Sequence, residues 1–238
     1  DVHLDLVDIS FEMSPGHITG IVGPPGSGKS TIAMLMPRFY EATGGRITLD
    51  GHDICDLTLE SLRACVSVVQ QDPFLFTTAV ENNIAYADPW SDAEAIREAS
   101  ATAQLHDYLT LLPDGYQTLV GERGVTLSGG QRQRLAIARG ILPEAKVMVF
   151  DDSTAAVDAG TEARIRSSLH SRHSDRAVLI IAHRLSSLMH ANEILFLHEG
   201  RIVERGSHAQ LVAAGGRYAE LYKLQTAGDQ RAPEQVGK

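Results

Sequence analysis

No apolar stretch in this chain of 238 residues approaches the ~18 residues that a membrane-spanning helix needs. The longest, such as residues 177–182, are strand-sized, so no transmembrane helix is expected. The opening residues, Asp1-Val2-His3-Leu4-Asp5, carry neither a cationic lead nor an apolar core, and no signal peptide is read there. Cysteine is scarce. Cys55 and Cys65 lack zinc spacing and cannot build a disulfide framework; both are expected to be buried or half-buried apolar residues of a reduced compartment. Basic residues are outnumbered, 21 against 30 acidic, for a net charge of −9. That balance disfavours a general role on nucleic acid or anionic lipid, though it leaves room for a local basic site. No internal repeat is present. With 43% hydrophobic and 21% charged residues, the composition is that of a globular chain rather than a disordered one.

The first informative stretch is Gly20-Ile21-Val22, which runs into Gly23-Pro24-Pro25-Gly26-Ser27-Gly28-Lys29-Ser30-Thr31 and then Ile32-Ala33-Met34-Leu35-Met36. A β-branched run, a glycine-rich turn and helix-compatible residues read as strand–loop–helix. Arg46-Ile47-Thr48-Leu49-Asp50-Gly51 reads as a strand entering a tight turn. Residues 91–112 follow a helical pattern, with Ser91 and Glu94 as a capping box and Ile96, Ala99 and Ala103 on or near one face. Pro113-Asp114-Gly115 ends it. A second helix opens after Ser128-Gly129-Gly130. Val147-Met148-Val149-Phe150 and Val178-Leu179-Ile180-Ile181 are continuous apolar runs, as expected of central strands buried on both faces of a parallel sheet. Two strands are expected at 193–197 and 201–204 around a Glu199-Gly200 turn, then helices at 209–213 and 218–224. Residues 226–238 are polar and are expected to be disordered. Strands alternating with helices indicate an α/β fold.

Gly23-x-x-x-x-Gly28-Lys29-Ser30 fits the P-loop spacing in full. Glycines allow backbone N–H groups to converge on phosphate oxygens, and the following helix start adds its positive end. Lys29 supplies a point charge for the β- and γ-phosphates, and the Ser30 hydroxyl suits Mg²⁺. A glycine-rich turn that binds nothing is the competing explanation, and the strand before and helix after it argue against that. A P-loop needs a carboxylate on a second strand. Asp151, at the end of the 147–150 run, is the expected Mg²⁺ partner, although Asp151-Asp152-Ser153 could also simply begin a turn that caps the next helix.

Leu127-Ser128-Gly129-Gly130-Gln131 lies about twenty residues before that strand. Here the chain resembles the nucleotide-binding domain of ABC transporters, over residues from about 6 to 225. The resemblance implies a P-loop NTPase core with a mainly parallel sheet, a helical subdomain inserted at about 73–142, and an N-terminal antiparallel β part that looks truncated. It implies ATP and Mg²⁺ as ligands, and a head-to-tail pairing with a second such domain whose ATP would be met by Ser128, Gly129, Gly130 and Gln131. Gln71, in Val68-Val69-Gln70-Gln71-Asp72-Pro73, is similar to the family's glutamine that contacts Mg²⁺, with Gln70 leaving the register open by one. Asp158 is similar to the aspartate that crosses the dimer interface, and His183 to the switch histidine at the γ-phosphate.

Phe74-Leu75-Phe76-Thr77-Thr78-Ala79-Val80-Glu81-Asn82-Asn83-Ile84 and Gly121-Glu122-Arg123-Gly124 resemble the exporter branch, which implies transmembrane partner domains and a place on the cytoplasmic face of a membrane. Pro37-Arg38-Phe39-Tyr40 and residues 199–208 match the same branch. No nucleic-acid partner is expected. The adenine-stacking aromatic of the family would lie upstream of Asp1, so weakened ATP binding is expected of this chain.

One position departs from the family pattern. The catalytic glutamate after Asp151 is here Asp152. Reach is the issue rather than protonation, because the two carboxylates have similar intrinsic pKa values, and a loss of about 1 Å can cost ~10²-fold. The resemblance then implies a slow site and an asymmetric heterodimer. A homodimer tolerant of aspartate and a regulatory ATP-holding module are the alternatives; a soluble ABC ATPase of DNA repair or translation is opposed by the acidic charge and the exporter-like segments.

Overall fold

The uninterrupted apolar runs become adjacent central strands, and their side chains explain why neither run alternates. Met148 and Phe150 pack on one side of the sheet and Val149 on the other, in two separate apolar clusters, so successive positions are buried on both faces. The computed structural model describes residues 6–121, 126–172 and 175–229. In chain order the elements are β1 (Ile18–Val22), α1 (Lys29–Leu35), β2 (Thr48–Leu49), β3 (His52–Asp53), α2 (Leu59–Cys65) and β4 (Val66–Val69). Then come α3 (Val80–Ile84), α4 (Ala93–Thr102), α5 (His106–Thr110), α6 (Gly129–Ile141), β5 (Val147–Asp151) and α7 (Ala159–Arg172). The chain continues with β6 (Ala177–Ile181), β7 (Glu193–His198), β8 (Arg201–Gly206), α8 (His208–Ala214) and α9 (Arg217–Asp229).

Six strands form one sheet in the order β4-β5-β6-β1-β7-β8. The pairs among β4, β5, β6, β1 and β7 are parallel, and β8 closes the edge antiparallel to β7. The fold is therefore the expected α/β type with a mainly parallel sheet. Because β1, β4, β5 and β6 run the same way, the loops that leave their carboxyl ends lie along one edge, where open parallel sheets bind ligands. Helices α3 to α6 lie between β4 and β5 in sequence and bury Leu105, Leu109, Val120 and Leu135 together.

Several local expectations are corrected. The 91–112 helix is two helices, α4 and α5, separated by Gln104 in the left-handed region at φ 57°. The cap is Asp92, whose carboxylate accepts from the Ala95 amide at 2.8 Å, while Ser91 donates its hydroxyl to Asp88 instead. An anionic cap also complements the positive helix start, which a serine does not. The strand at 46–51 shrinks to β2. Its turn is present as foreseen, with Asp50 and Gly51 both at positive φ, 50° and 82°, the conformation of a tight hairpin turn. Residues 226–229 belong to α9, and Thr226 bonds back to the Tyr222 carbonyl; the rest of the expected tail, 230–238, lies outside the described residues. Cys65 is half-buried as expected, but Cys55 is exposed. Its amide is drawn onto the Asp53 carboxylate at 2.9 Å, in an Asx turn that buries Ile54 and leaves the thiol outside. Residues 122–125, with most of the Gly121-Glu122-Arg123-Gly124 segment, lie outside the described residues.

Candidate functional site

The loop after β1 wraps around its own lysine. Lys29 Nζ donates to the carbonyls of Gly23 at 3.0 Å and Pro24 at 2.9 Å, which leaves one of its three N–H donors for a ligand. Gly28 holds φ 97°, a conformation that strains any residue with a Cβ. Lys29 is only 5% exposed. Burial lowers its pKa, and the nearby Asp151 and Asp152 charges act against that shift. The Ser27 hydroxyl, in the same loop, is buried with no hydrogen-bond partner among the described residues. An orphaned donor inside a cradle of backbone N–H groups fits an absent acceptor such as a phosphate oxygen.

Two carboxylates face this loop. Ser30 Oγ donates to Asp151 Oδ1 at 3.2 Å, bridging α1 to the end of β5. Burial raises the Asp151 pKa; the Ser30 hydrogen bond lowers it, the Asp152 charge raises it further, and Lys29 and His183 lower it. A hydroxyl and a buried carboxylate in contact form an oxygen donor pair suited to Mg²⁺. Among the described residues no group of three or more His, Cys, Asp or Glu side chains could hold a metal alone.

Asp152 is 8% exposed and sits at φ 45°. Its amide donates to the Ile181 carbonyl at 2.8 Å, and its carboxylate accepts the His183 amide at 3.4 Å. Left-handed backbone is tolerated by aspartate better than by longer side chains, because its short carboxylate can bond locally. Lys29, Ser30, Asp151, Asp152 and His183 are thus brought together by the ends of β1, β5 and β6. His183 itself is exposed at the rim.

Other candidates stand apart. Gln71 and Gln70 are exposed just past β4, and among the described residues the Gln71 carbonyl is engaged by Gln133 Nε2 at 3.5 Å. Asp158 caps α7, accepting the Thr161 amide at 2.9 Å, a bond that holds its carboxyl below the usual range. Ser128 caps α6 in a reciprocal box with Gln131. No hydrogen bond or ion pair joins Ser128–Gln131 to the P-loop among the described residues. This second glycine pair rests instead on the chain after Asp152: a Cβ on Gly130 would meet the Ala156 carbonyl oxygen at 2.8 Å.

The sequence reading missed what holds these parts. Gln133, buried in α6, accepts the Ala156 amide at 2.7 Å; its one signal is a polar side chain four residues before the buried Ile137. Arg139 donates to the Asn83 and Phe74 carbonyls, each at 2.8 Å, and fixes a segment in which Phe74 is 71% exposed. Nothing in the spacing marked that arginine. Arg184 donates to the Ala155 carbonyl at 2.7 Å.

A family profile described as ABC transporter matches residues 6–155. The chain belongs to the ABC transporter family. Among relatives within it, the chain is 49% identical over 223 residues to the ATP-dependent lipid A-core flippase of Legionella pneumophila (strain Paris), covering 94% of this chain and 38% of that protein. It is 46% identical over 220 residues to the ABC transporter ATP-binding protein YknU of Bacillus subtilis (strain 168), covering 92% and 38%. A solved bacterial Atm1-family ABC exporter with ATP bound superposes with a TM-score of 0.89 at 43% identity, covering 92% of this chain and 39% of that one. The chain therefore spans less than two fifths of the length of these ABC relatives.

Proposed function

We propose that this chain is the ATP-binding and ATP-hydrolysing domain of an ABC exporter, on the cytoplasmic face of a membrane. It would work with transmembrane domains and a second nucleotide-binding domain. The observation that carries the reading is the junction of the lysine-closed loop with Ser30 and Asp151, which sets a cation, a hydroxyl and a carboxylate side by side. The loop residues Gly23, Pro24, Pro25, Gly26, Ser27, Gly28, Lys29, Ser30 and Thr31 would hold the triphosphate, with Ser27 finding its missing partner there. Ser30, Asp151 and Gln71 would hold Mg²⁺, which would supply positive charge to neutralise the phosphates.

Asp152 would take up the proton as a water oxygen bonds to the γ-phosphorus and the bond to the bridging oxygen of ADP breaks. His183 would steady the γ-phosphate. Ser128, Gly129, Gly130 and Gln131 would grip the ATP of the partner domain, with Asp158 at the interface. With its shorter reach, Asp152 would make this chain's own site the slower of two, and the intact second glycine pair would serve a faster site on an unlike partner. A mainly regulatory role draws support from one contact, the Asp152 carboxylate already engaged by the His183 amide.

The test is Mg²⁺-dependent ATP binding and turnover by the complete protein, with Lys29→Ala alongside. Loss of a charge-assisted contact worth about 3 kcal/mol predicts roughly 10²-fold weaker nucleotide binding. Unchanged affinity would overturn the assignment of the loop.

A further inference from the structure

We infer that Gln225, on the C-terminal helix, is a positioning residue that sets the switch loop carrying His183. The inference rests on the reading of His183 given above and extends it to an element outside the motifs.

The His183 ring has no hydrogen-bond partner among the described residues and is exposed, so the hold on its backbone decides where the ring stands. That backbone leaves the sheet after Ala182 and gains no strand partner until β7. Gln225 supplies one. Its Oε1 accepts the Leu185 amide at 2.8 Å, and its Nε2 donates to the His183 carbonyl at 2.7 Å. One side-chain amide thus closes both ends of a three-residue interval, as a neighbouring strand would. Only a side chain that both donates and accepts at this reach can do so. The interval is also held elsewhere, by the Arg184 bond to Ala155 and by Asp152 on the His183 amide. Leu185 is buried and anchors its far end.

The helix bearing Gln225 is itself well fixed. The Glu204 carboxylate, on β8, accepts the amides of Arg217 at 2.6 Å and Tyr218 at 3.1 Å, capping the start of α9. Tyr218 is fully buried, and its hydroxyl meets His208 Nδ1 at 2.8 Å. Gln225 follows Tyr218 by seven residues and so lies on the same helix face. The path from the sheet edge through α9 to His183 is therefore continuous and made of named contacts. Among the described residues no hydrogen bond joins Gln225, Tyr218 or Glu204 to the P-loop, so loosening this path should alter turnover without altering nucleotide affinity.

The experiment compares the complete protein with its Gln225→Leu and His183→Ala variants, measuring ATP turnover, nucleotide affinity and amide hydrogen exchange. Leucine keeps the bulk and loses both hydrogen bonds. A misplacement of about 1 Å at a catalytic group can cost up to ~10²-fold, and a partly released loop is expected to lower kcat roughly tenfold. The KM and Kd for ATP should stay within about twofold, the signature of an interaction that matters only in the transition state. Exchange of the Leu185 amide should accelerate while that of Leu179, inside β6, stays slow. If His183→Ala abolishes turnover and Gln225→Leu leaves kcat unchanged, the inference is overturned and the reading of His183 stands. If His183→Ala itself leaves turnover intact, that reading falls and takes the inference with it. A rise in Kd together with fast Leu179 exchange would mark general loosening and also overturn the positioning role.

Discussion

Replacing Asp152 by glutamate pits two effects against each other. The added methylene extends the carboxylate by about 1 Å, the scale on which a catalytic group can gain or lose up to ~10²-fold in rate. Against this stands the backbone at φ 45°, where an ordinary side chain costs about 1–2 kcal/mol and aspartate less. Asp152 is also only 8% exposed, so an extra methylene meets close packing. The net expectation is a kcat raised by roughly tenfold or more and a stability lowered by about 1 kcal/mol, or roughly 2–4 °C in Tm for a chain of this size. The assay is phosphate release at saturating Mg²⁺ and ATP by the complete protein, beside thermal unfolding of the same preparation. A variant that folds, binds ATP as before and turns over no faster would refute the idea that reach limits this site.

Two further outcomes are expected. Burial holds the Asp151 carboxyl above the usual carboxylate range, so the folded chain binds that proton more tightly than the unfolded chain does. Stability from this group is then greatest below the ordinary carboxylate pKa and is lost as pH rises through the raised value. Asp151→Asn keeps an acceptor for Ser30 and removes the buried charge. It should raise the Tm of the nucleotide-free protein at neutral pH, lose that advantage at acid pH, and abolish Mg²⁺-dependent turnover; a lower neutral-pH Tm would contradict the burial argument. Gly130→Ala would press a methyl to 2.8 Å from the Ala156 oxygen. Nucleotide affinity at the P-loop should hold while turnover by the paired assembly drops at least tenfold, read by comparing single-domain binding with whole-protein hydrolysis.

The sheet was legible because its signals are local and strong. Runs of β-branched and apolar residues at 147–150 and 178–181 have no other place to go than a double-sided core, and the P-loop carries its own strand and helix. The helical stretch at 91–112 was misjudged in detail, since a left-handed Gln104 breaks it with no glycine or proline to announce the break. Site residues fixed by their own loop, such as Lys29, could be placed from spacing. Those fixed by distant partners could not. The 42-residue separation between His183 and Gln225 and the 23 between Gln133 and Ala156 leave no periodic trace, because a single polar contact across the fold imposes no pattern on either segment.

The short run at Ala155 and Ala156 receives three different neighbours: the Arg184 guanidinium, the Gln133 amide and the glycine face of Gly130. It begins three residues after Asp152 and abuts Gly130 at the start of α6, so a shift there is felt on both sides. A displacement of the chain beyond Asp151 and Asp152 would press on that helix start as well. In a paired assembly, the chemical state of one half would reach the other as a change of shape, carried by the fulcrum these two alanines provide.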